Sequence, residues 1–197
     1  MTYATLGSGA IGTALARRFA AKGIEVSLAN TKGPASLTDL VGELGSLVKP
    51  VTSAEALLAD VVILAIPFDA VPEAVKGVEW GGRIVVDATN AIDFPAFTPR
   101  DLKGRLSTQI VADAVPGARV VKAFNTLFAA LLGADPAVPG GRRVLFVSGD
   151  DASPRTAVVD LIERLGFAAV DLGGLAKGGR AQQFGGGASG KEFVQIG

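Results

Sequence analysis

The chain has 197 residues, 49% hydrophobic and 19% charged, and its 19 basic and 19 acidic side chains give a formal net charge of zero. That composition excludes a disordered chain, and the balanced charge offers no footprint for nucleic acid or an anionic membrane. There is no Cys and no His, which removes disulfides, thiolate nucleophiles, structural zinc and imidazole acid–base catalysis together.

In chain order, Tyr3-Ala4-Thr5-Leu6 predicts a short first strand, and Gly7-Ser8-Gly9-Ala10-Ile11-Gly12 follows it. Ile11, Leu15 and Phe19 then recur at four-residue spacing, as the buried stripe of a helix does. A second strand is expected at Ile24-Glu25-Val26-Ser27-Leu28-Ala29. Glycines between a strand and a helix, with a second strand after them, form the dinucleotide-binding fingerprint. Gly7 permits the tight turn, Gly9 lets the backbone approach a pyrophosphate, and Gly12 lets helix and strand pack closely. The free N–H groups of that helix start face the phosphates.

The end of the second strand points to the dinucleotide. An NAD site usually places Asp or Glu about 20 residues after the glycines, to hold the ribose 2′-hydroxyl. Asn30-Thr31-Lys32 stands there instead. An amide, a hydroxyl and an ammonium can donate to a 2′-phosphate that a carboxylate would repel, so NADP(H) is the expected cofactor. The plainer reading is a polar turn before the next helix.

Ser36 to Leu44 is expected to be a helix, Leu47-Val48 a short strand, and Ser53 the N-cap of a brief helix through Leu58. Val61 to Ile66 is a continuous apolar run, as in a central parallel strand covered on both faces. Further strands are expected at Arg83–Asp87, Arg119–Ala123, Arg143–Val147 and Ala168–Asp171, with an apolar helix through Leu127, Phe128, Leu131 and Leu132 and another from about Pro154 to Leu165. Strands alternating with helices predict an α/β fold, a doubly wound, mainly parallel Rossmann sheet over residues 1–172. A short Gly-rich appendix, 173–197, carries eight glycines between Gly173 and Gly190, with Lys177, Arg180 and Gln182-Gln183 among them. It is either a mobile end or a loop folded back over the acceptor pocket.

Ligands of open α/β sheets sit outside the carboxyl ends of the strands. Three strand ends here carry distinctive residues: Ile66-Pro67-Phe68, Asp87-Ala88-Thr89-Asn90, and Lys122-Ala123-Phe124-Asn125-Thr126. Singly, each residue reads equally well as a turn, a cap or core. Jointly, three such ends on one edge favour a pocket, with Pro67 stiffening the backbone beside the nicotinamide ribose.

These stretches, with Ala29-Asn30-Thr31-Lys32-Gly33-Pro34, resemble the NADPH-dependent coenzyme F420 reductase family, and the cytosolic domain of the six-transmembrane ferric reductases that pass hydride from NADPH to a flavin. The resemblance runs from Thr2 to about Arg180, and Val120-Val121-Lys122-Ala123-Phe124-Asn125-Thr126 is its most specific piece. It implies that Ser8, Ala10, Ile11, Asn30, Thr31 and Lys32 hold NADPH, that Ile66, Pro67 and Asn90 lie by the nicotinamide, and that Asn125, Thr126 and the Gly-rich tail border the acceptor ring. The archaeal deazaflavin enzymes of that family carry His where Asn125 stands, and a longer, less Gly-rich C-terminal segment.

The expected activity is hydride transfer between NADPH and a deazaflavin (coenzyme F420) or a flavin. No catalytic side chain is expected: the only Tyr, Tyr3, lies in a strand, and approximation of two rings supplies the rate. Two alternatives stay open. One is a small-molecule imine or ketone reductase, although pyrroline-carboxylate reductases add a helical C-terminal domain for which this chain stops too early. The other is a non-catalytic NADPH-binding sensor. The expected partner is a small-molecule redox acceptor, with no nucleic acid and no membrane, and a homodimer left open. The apolar run Val61–Phe68 is far short of the roughly 20 residues that span a bilayer, and the first strand leaves no room for a signal peptide, so a cytoplasmic location is expected.

Overall fold

Short apolar runs ending in glycine or a polar residue become the strands in the computed structural model, which describes residues 1–197. The chain opens with β1 (Tyr3–Leu6), α1 (Ala10–Ala21) and β2 (Val26–Ala29). A 3₁₀ turn at Pro34–Leu37 leads to α2 (Thr38–Leu44), β3 (Val48–Pro50), α3 (Ser53–Ala56) and β4 (Val61–Leu64). The helix expected from Ser36 thus starts late: Pro34 at the head of the turn and Gly33 at φ 82 fix a tighter coil first. Thr52, one residue before the expected Ser53, caps α3. Its side chain accepts from the Glu55 N–H while Glu55 reaches back to the Thr52 N–H at 2.8 Å.

After β4, a 3₁₀ turn at Phe68–Ala70 precedes α4 (Val71–Ala74) and β5 (Ile84–Asp87). A small antiparallel hairpin, β6 (Ile92–Asp93) and β7 (Thr98–Pro99), precedes α5 (Ser107–Ala114) and β8 (Arg119–Lys122). Then come α6 (Ala129–Gly133), β9 (Ala137–Val138), β10 (Gly141–Val147), α7 (Ala152–Arg164) and β11 (Ala168–Asp171). Leu127 and Phe128 therefore precede α6 rather than belong to it, because Phe128 is extended, at ψ 147, and serves as the N-cap. A π-helical turn at Leu175–Gly179, α8 (Arg180–Gln182) and β12 (Val194–Ile196) complete the chain. No helix is long and apolar enough to cross a membrane.

The main sheet has six parallel strands in the order β3-β2-β1-β4-β5-β8, the doubly wound order. Alternate strand residues face opposite sides. Tyr3, Val61, Ile63, Val86 and Val121 pack with Leu15 and Phe19 of α1 and Leu161 of α7. Ala4, Leu6, Val62, Leu64 and Val85 pack on the other side with Val71, Trp80 and Val111. Leu6 is in register with both Ala29 and Leu64, Leu64 with Asp87, and Asp87 with Lys122, so the strands end together and their exits share one edge.

Beyond β8 the parallel order ends. Lys122 and Ser148 form a single antiparallel bridge, with N–H···O distances of 2.7 and 3.1 Å. Through it the main sheet meets a smaller one, in which β10 pairs with β11 in parallel and with β9 and β12 antiparallel. The Gly-rich tail is not a loose end. It returns to this junction, and its last strand pairs with Gly141, Arg142 and Arg143 of β10.

Candidate functional site

The edge where the strands end carries two constructions, one at the exits of β1 and β2 and one at the exits of β5 and β8. The first is made almost entirely of backbone. Gly7 stands at φ +112, where a side chain would be strained, and a Cβ there would overlap the Ala65 carbonyl. A Cβ on Gly12 would overlap the Gly7 carbonyl itself. Gly9 differs from both: its φ is −73, and a Cβ would meet nothing within 4 Å, because the space beside it is open cleft. No side chain caps α1, and its first internal bond runs from the Thr13 N–H to the Gly9 carbonyl at 2.9 Å. The N–H groups ahead of Thr13 are the unpaired donors of a helix start, with the positive end of the helix dipole behind them.

This loop opens onto a cleft of about 600 Å³. Gly7, Ser8 and Gly9 line one wall, Asn30, Thr31 and Lys32 another, and Ile66 and Pro67 a third. A dinucleotide's phosphates fit such a cradle: there are donors without acceptors, a glycine beside open space, and no carboxylate at the β2 exit. Asn30 has a bracing role. Its Nδ2 donates to Ser8 Oγ at 2.9 Å and to Ser36 Oγ at 3.0 Å, and its Oδ1 accepts the Lys32 N–H at 2.9 Å. That Asx turn ties the glycine loop to the turn after β2 and leaves Thr31 and Lys32 exposed in the wall. Ser36 and Ser53 also line the cleft and were not anticipated. Only their proximity in the fold identifies them, since Ser53 reaches back 23 residues to the Asn30 carbonyl.

The other expected residues of this half lie around the cleft. Ala10 lines a second depression of about 660 Å³ between α1 and α6, which shares Ser8 and Gly9 with the cleft. Ile11 packs on the core and Gly12 is buried behind the loop. Phe68 packs with Ile66 against the Trp80 side of the core.

The second construction is made of side chains. Asn90 and Asn125 face each other: Asn90 Nδ2 donates to the Asn125 carbonyl and Asn125 Nδ2 to Asn90 Oδ1, both at 3.0 Å. Asn125 Nδ2 gives its other hydrogen to the carbonyl of Gln182, in the tail, at 2.8 Å. Two acceptors thus fix which way the Asn125 amide points, and its buried Oδ1 is left without a partner. Thr126 is buried beside it and its carbonyl accepts the Gly190 N–H at 2.9 Å. Neither asparagine nor Thr126 lines the 600 Å³ cleft; they stand at the exits of β5 and β8, beyond its Ile66–Pro67 wall.

Behind them lies a fully buried ion pair. Lys122 Nζ sits 2.9 Å from Asp87 Oδ2 and donates to the Thr89 carbonyl at 3.1 Å. Thr108 Oγ1 and Thr89 Oγ1 each donate to the carboxylate at 2.6 Å. Burial alone would push the Asp87 carboxyl up. The Lys122 ammonium and the hydrogen bonds from Thr108, Thr89 and Lys122 outweigh it and hold the carboxyl below the usual carboxylate range.

Gln182 closes this construction. It is fully buried, donates from Nε2 to the carbonyls of Phe146 at 2.9 Å and Lys122 at 3.2 Å, and accepts from Ser148 Oγ. One glutamine therefore seals the junction of the two sheets and orients Asn125.

Residues 2–91 match the protein family described as NADP oxidoreductase, coenzyme F420-dependent. Over its whole length the chain is similar to the hypothetical protein SMa0349 of Sinorhizobium meliloti, at 56% identity and a TM-score of 0.96, covering 99% of this chain and 96% of that one. A crystal structure from Arthrobacter sp. FB24, assigned as an F420-dependent NADP reductase, is 27% identical with a TM-score of 0.77, over 89% of this chain and 86% of that one. Metalloreductase STEAP3 of Rattus norvegicus is 27% identical over 173 residues, which are 87% of this chain. The chain spans about a third of that relative, 33% of its length.

Proposed function

We propose that this chain, whose residues 2–91 match the coenzyme F420-dependent NADP oxidoreductase family, moves hydride between NADP(H) and a deazaflavin (coenzyme F420) or flavin acceptor. The observation that carries this reading is the cleft itself, in which a phosphate cradle of bare backbone stands beside a β2 exit bearing Lys32 and no carboxylate.

When bound, NADPH supplies a hydride from C4 of its nicotinamide. The donors at the start of α1 hold the pyrophosphate, and Gly9 leaves room for it. Thr31, Lys32 and Ser36 take the 2′-phosphate, while Asn30 keeps their turn in place. Ile66 and Pro67 form an apolar wall for the nicotinamide. Asn90, Asn125 and Thr126 border the acceptor, and residues 173–197 cover that end and exclude water. The amides of Asn90 and Asn125 and the Thr126 hydroxyl do not exchange protons near neutral pH, so at the acceptor the chain contributes binding, orientation and exclusion of solvent.

The test is anaerobic mixing of the purified protein with NADPH and either coenzyme F420 or FMN, following nicotinamide and ring absorbance together. Stoichiometric loss of NADPH and reduction of one ring is expected. Tight NADPH binding without reduction of either ring would make the chain a sensor. Turnover of a cyclic imine with no ring acceptor would make it an imine reductase.

A further inference from the structure

Asn90 leads directly into the β6–β7 hairpin, and the hairpin carries an unusual load. Phe94 is 74% exposed and Phe97 52% exposed, and their rings meet edge to face at 5.9 Å between centroids. Phe97 also stacks edge to face, at 5.2 Å, on Phe184 of the tail. Phe97 holds φ at +53, a left-handed backbone that a bulky residue adopts only when its surroundings compel it. The compulsion is visible. Arg100, at the foot of the hairpin, grips Asp93 at 2.8 Å and Asp69 in the turn after Pro67, which ties the hairpin to the cleft wall. On the tail side, Gly185 at φ +85 leaves no room for a Cβ against Pro99.

We infer that Phe94, Phe97 and Phe184 form the platform on which the planar heteroaromatic ring of the acceptor stacks, outside the dinucleotide cleft. The inference rests on the function proposed above and names the contact surface within it. Three arguments select a ring as occupant. Two phenyl rings present at most about 200 Å² each, far less than the roughly 800 Å² per partner that a stable dimer covers, but comparable with one face of a fused ring system. Arg100, the cation at the foot of the hairpin, is already held by Asp69 and Asp93, so it offers a phosphate no free positive charge. Beneath Phe184 lies a void of about 30 Å³, room for one polar atom. Ser107 lines it, and its buried hydroxyl has no partner, which suits the carbonyl edge of a heteroaromatic ring better than a hydrocarbon chain.

The double variant Phe94→Ala/Phe97→Ala tests this, since both side chains are exposed and neither belongs to the buried core. Binding is read by quenching of ring fluorescence, with coenzyme F420 and FMN as separate probes at saturating NADP⁺, and turnover is measured apart. The expected result is at least a tenfold loss of affinity for whichever ring the parent protein binds, an unchanged dissociation constant for NADP⁺, and recovery in Phe97→Trp. Unaltered ring affinity in the double variant overturns the platform, as does failure of the parent protein to bind either ring. A parent dimer that the double variant converts to a monomer, with ring affinity kept, shows that a second copy covers the patch and overturns it too. Ring binding that depends on the phenylalanines without hydride transfer leaves the platform standing and refutes the proposed reaction. Turnover with an unchanged acceptor KM in the double variant does the reverse.

Discussion

The two ends of the strand edge are built on opposite principles. At the β1–β2 end the chain exposes backbone: glycines remove side chains, a helix start offers uncapped N–H groups, and the only charged side chain lining the cleft, Lys32, is solvated. At the β5–β8 end the backbone is covered by a dense set of side chains, with Asp87, Lys122 and Gln182 buried and bonded to one another's segments. A site that must accept a charged, mobile dinucleotide gains from bare donors. A site that held one ring against another, as proposed above, would gain from groups that cannot move. Stability and function should therefore separate along this edge, with substitutions that face the open cleft at the first end altering affinity and those of the buried ion pair at the second altering the fold.

The largest effect should come from the buried pair. Lys122→Met leaves the Asp87 carboxylate uncompensated in the core and should cost about 3–5 kcal/mol of unfolding free energy. Lys32→Met at the opposite end should stay within about 0.5 kcal/mol, as exposed substitutions do. Denaturant melts of the two variants measure the contrast, and equal destabilisation would erase it. The pair also has a pH signature. The folded-state value of Asp87 is depressed, so its contribution is fully present above the unfolded carboxylate value of about 3.9 and is lost as pH falls through the folded one. Acid should thus close much of the stability gap between parent and Lys122→Met, while neutral pH keeps it open.

Two glycines three residues apart should behave oppositely. Gly12→Val forces a branched side chain into the Gly7 carbonyl and should cost about 3 kcal/mol or more, reported by the thermal midpoint. Gly9→Val meets no protein atom, so the fold should survive while NADPH binding drops at least a hundredfold, about 2.7 kcal/mol by calorimetry. A folded Gly9→Val protein with full affinity would mean that the phosphates lie elsewhere.

The same contrast explains what could be read in advance. The cradle is legible because its physics is local: strand, glycines and helix stripe occupy Tyr3 to Phe19 without interruption. The parallel order of six strands follows from strand and helix alternation for the same reason. The β5–β8 end resisted because its partners are distant, Asn125 lying 57 residues from Gln182 and Asp87 35 from Lys122. Asn90 and Asn125 stood out as polar strand ends, but only the fold shows that each satisfies the other. Gln182 carried no signal beyond its place in a glycine-rich stretch, a composition that reads equally as a loose tail or a packed strap. The β6–β7 hairpin escaped because strands of two residues have no periodicity to detect.

At the β2 exit, Lys32→Ala should weaken NADPH binding about tenfold to a hundredfold, the equivalent of roughly 1.5–3 kcal/mol for a charge-assisted contact, and leave NADH unaffected. Thr31→Asp should go further in the same direction by repelling the 2′-phosphate. Asn30→Ala sharpens the point: because Asn30 braces Ser8, Ser36 and the Lys32 N–H, it should weaken both dinucleotides alike. Equal affinity of the parent protein for NADH and NADPH would refute the role of this turn.

The smallest effect should be on chemistry. Asn125→Ala removes two hydrogen bonds and leaves the buried Gln182 carbonyl unpaired, so it should loosen the tail and raise the acceptor KM several-fold. Turnover at saturating acceptor should fall less, because the amide orients and does not exchange protons. Gln182→Met should reproduce the KM effect through the tail alone, without touching the acceptor, and the two substitutions combined should be less than additive because they break one network. In all three proteins the rate should show no limb assignable to an enzyme group between about pH 6 and 8. The chain has no His or Cys, and the one fully buried carboxylate is held below the usual range by Lys122, Thr108 and Thr89. A bell-shaped profile in that window, with an acceptor that does not itself titrate there, would require a proton donor among these residues and would rule out hydride transfer by approximation alone.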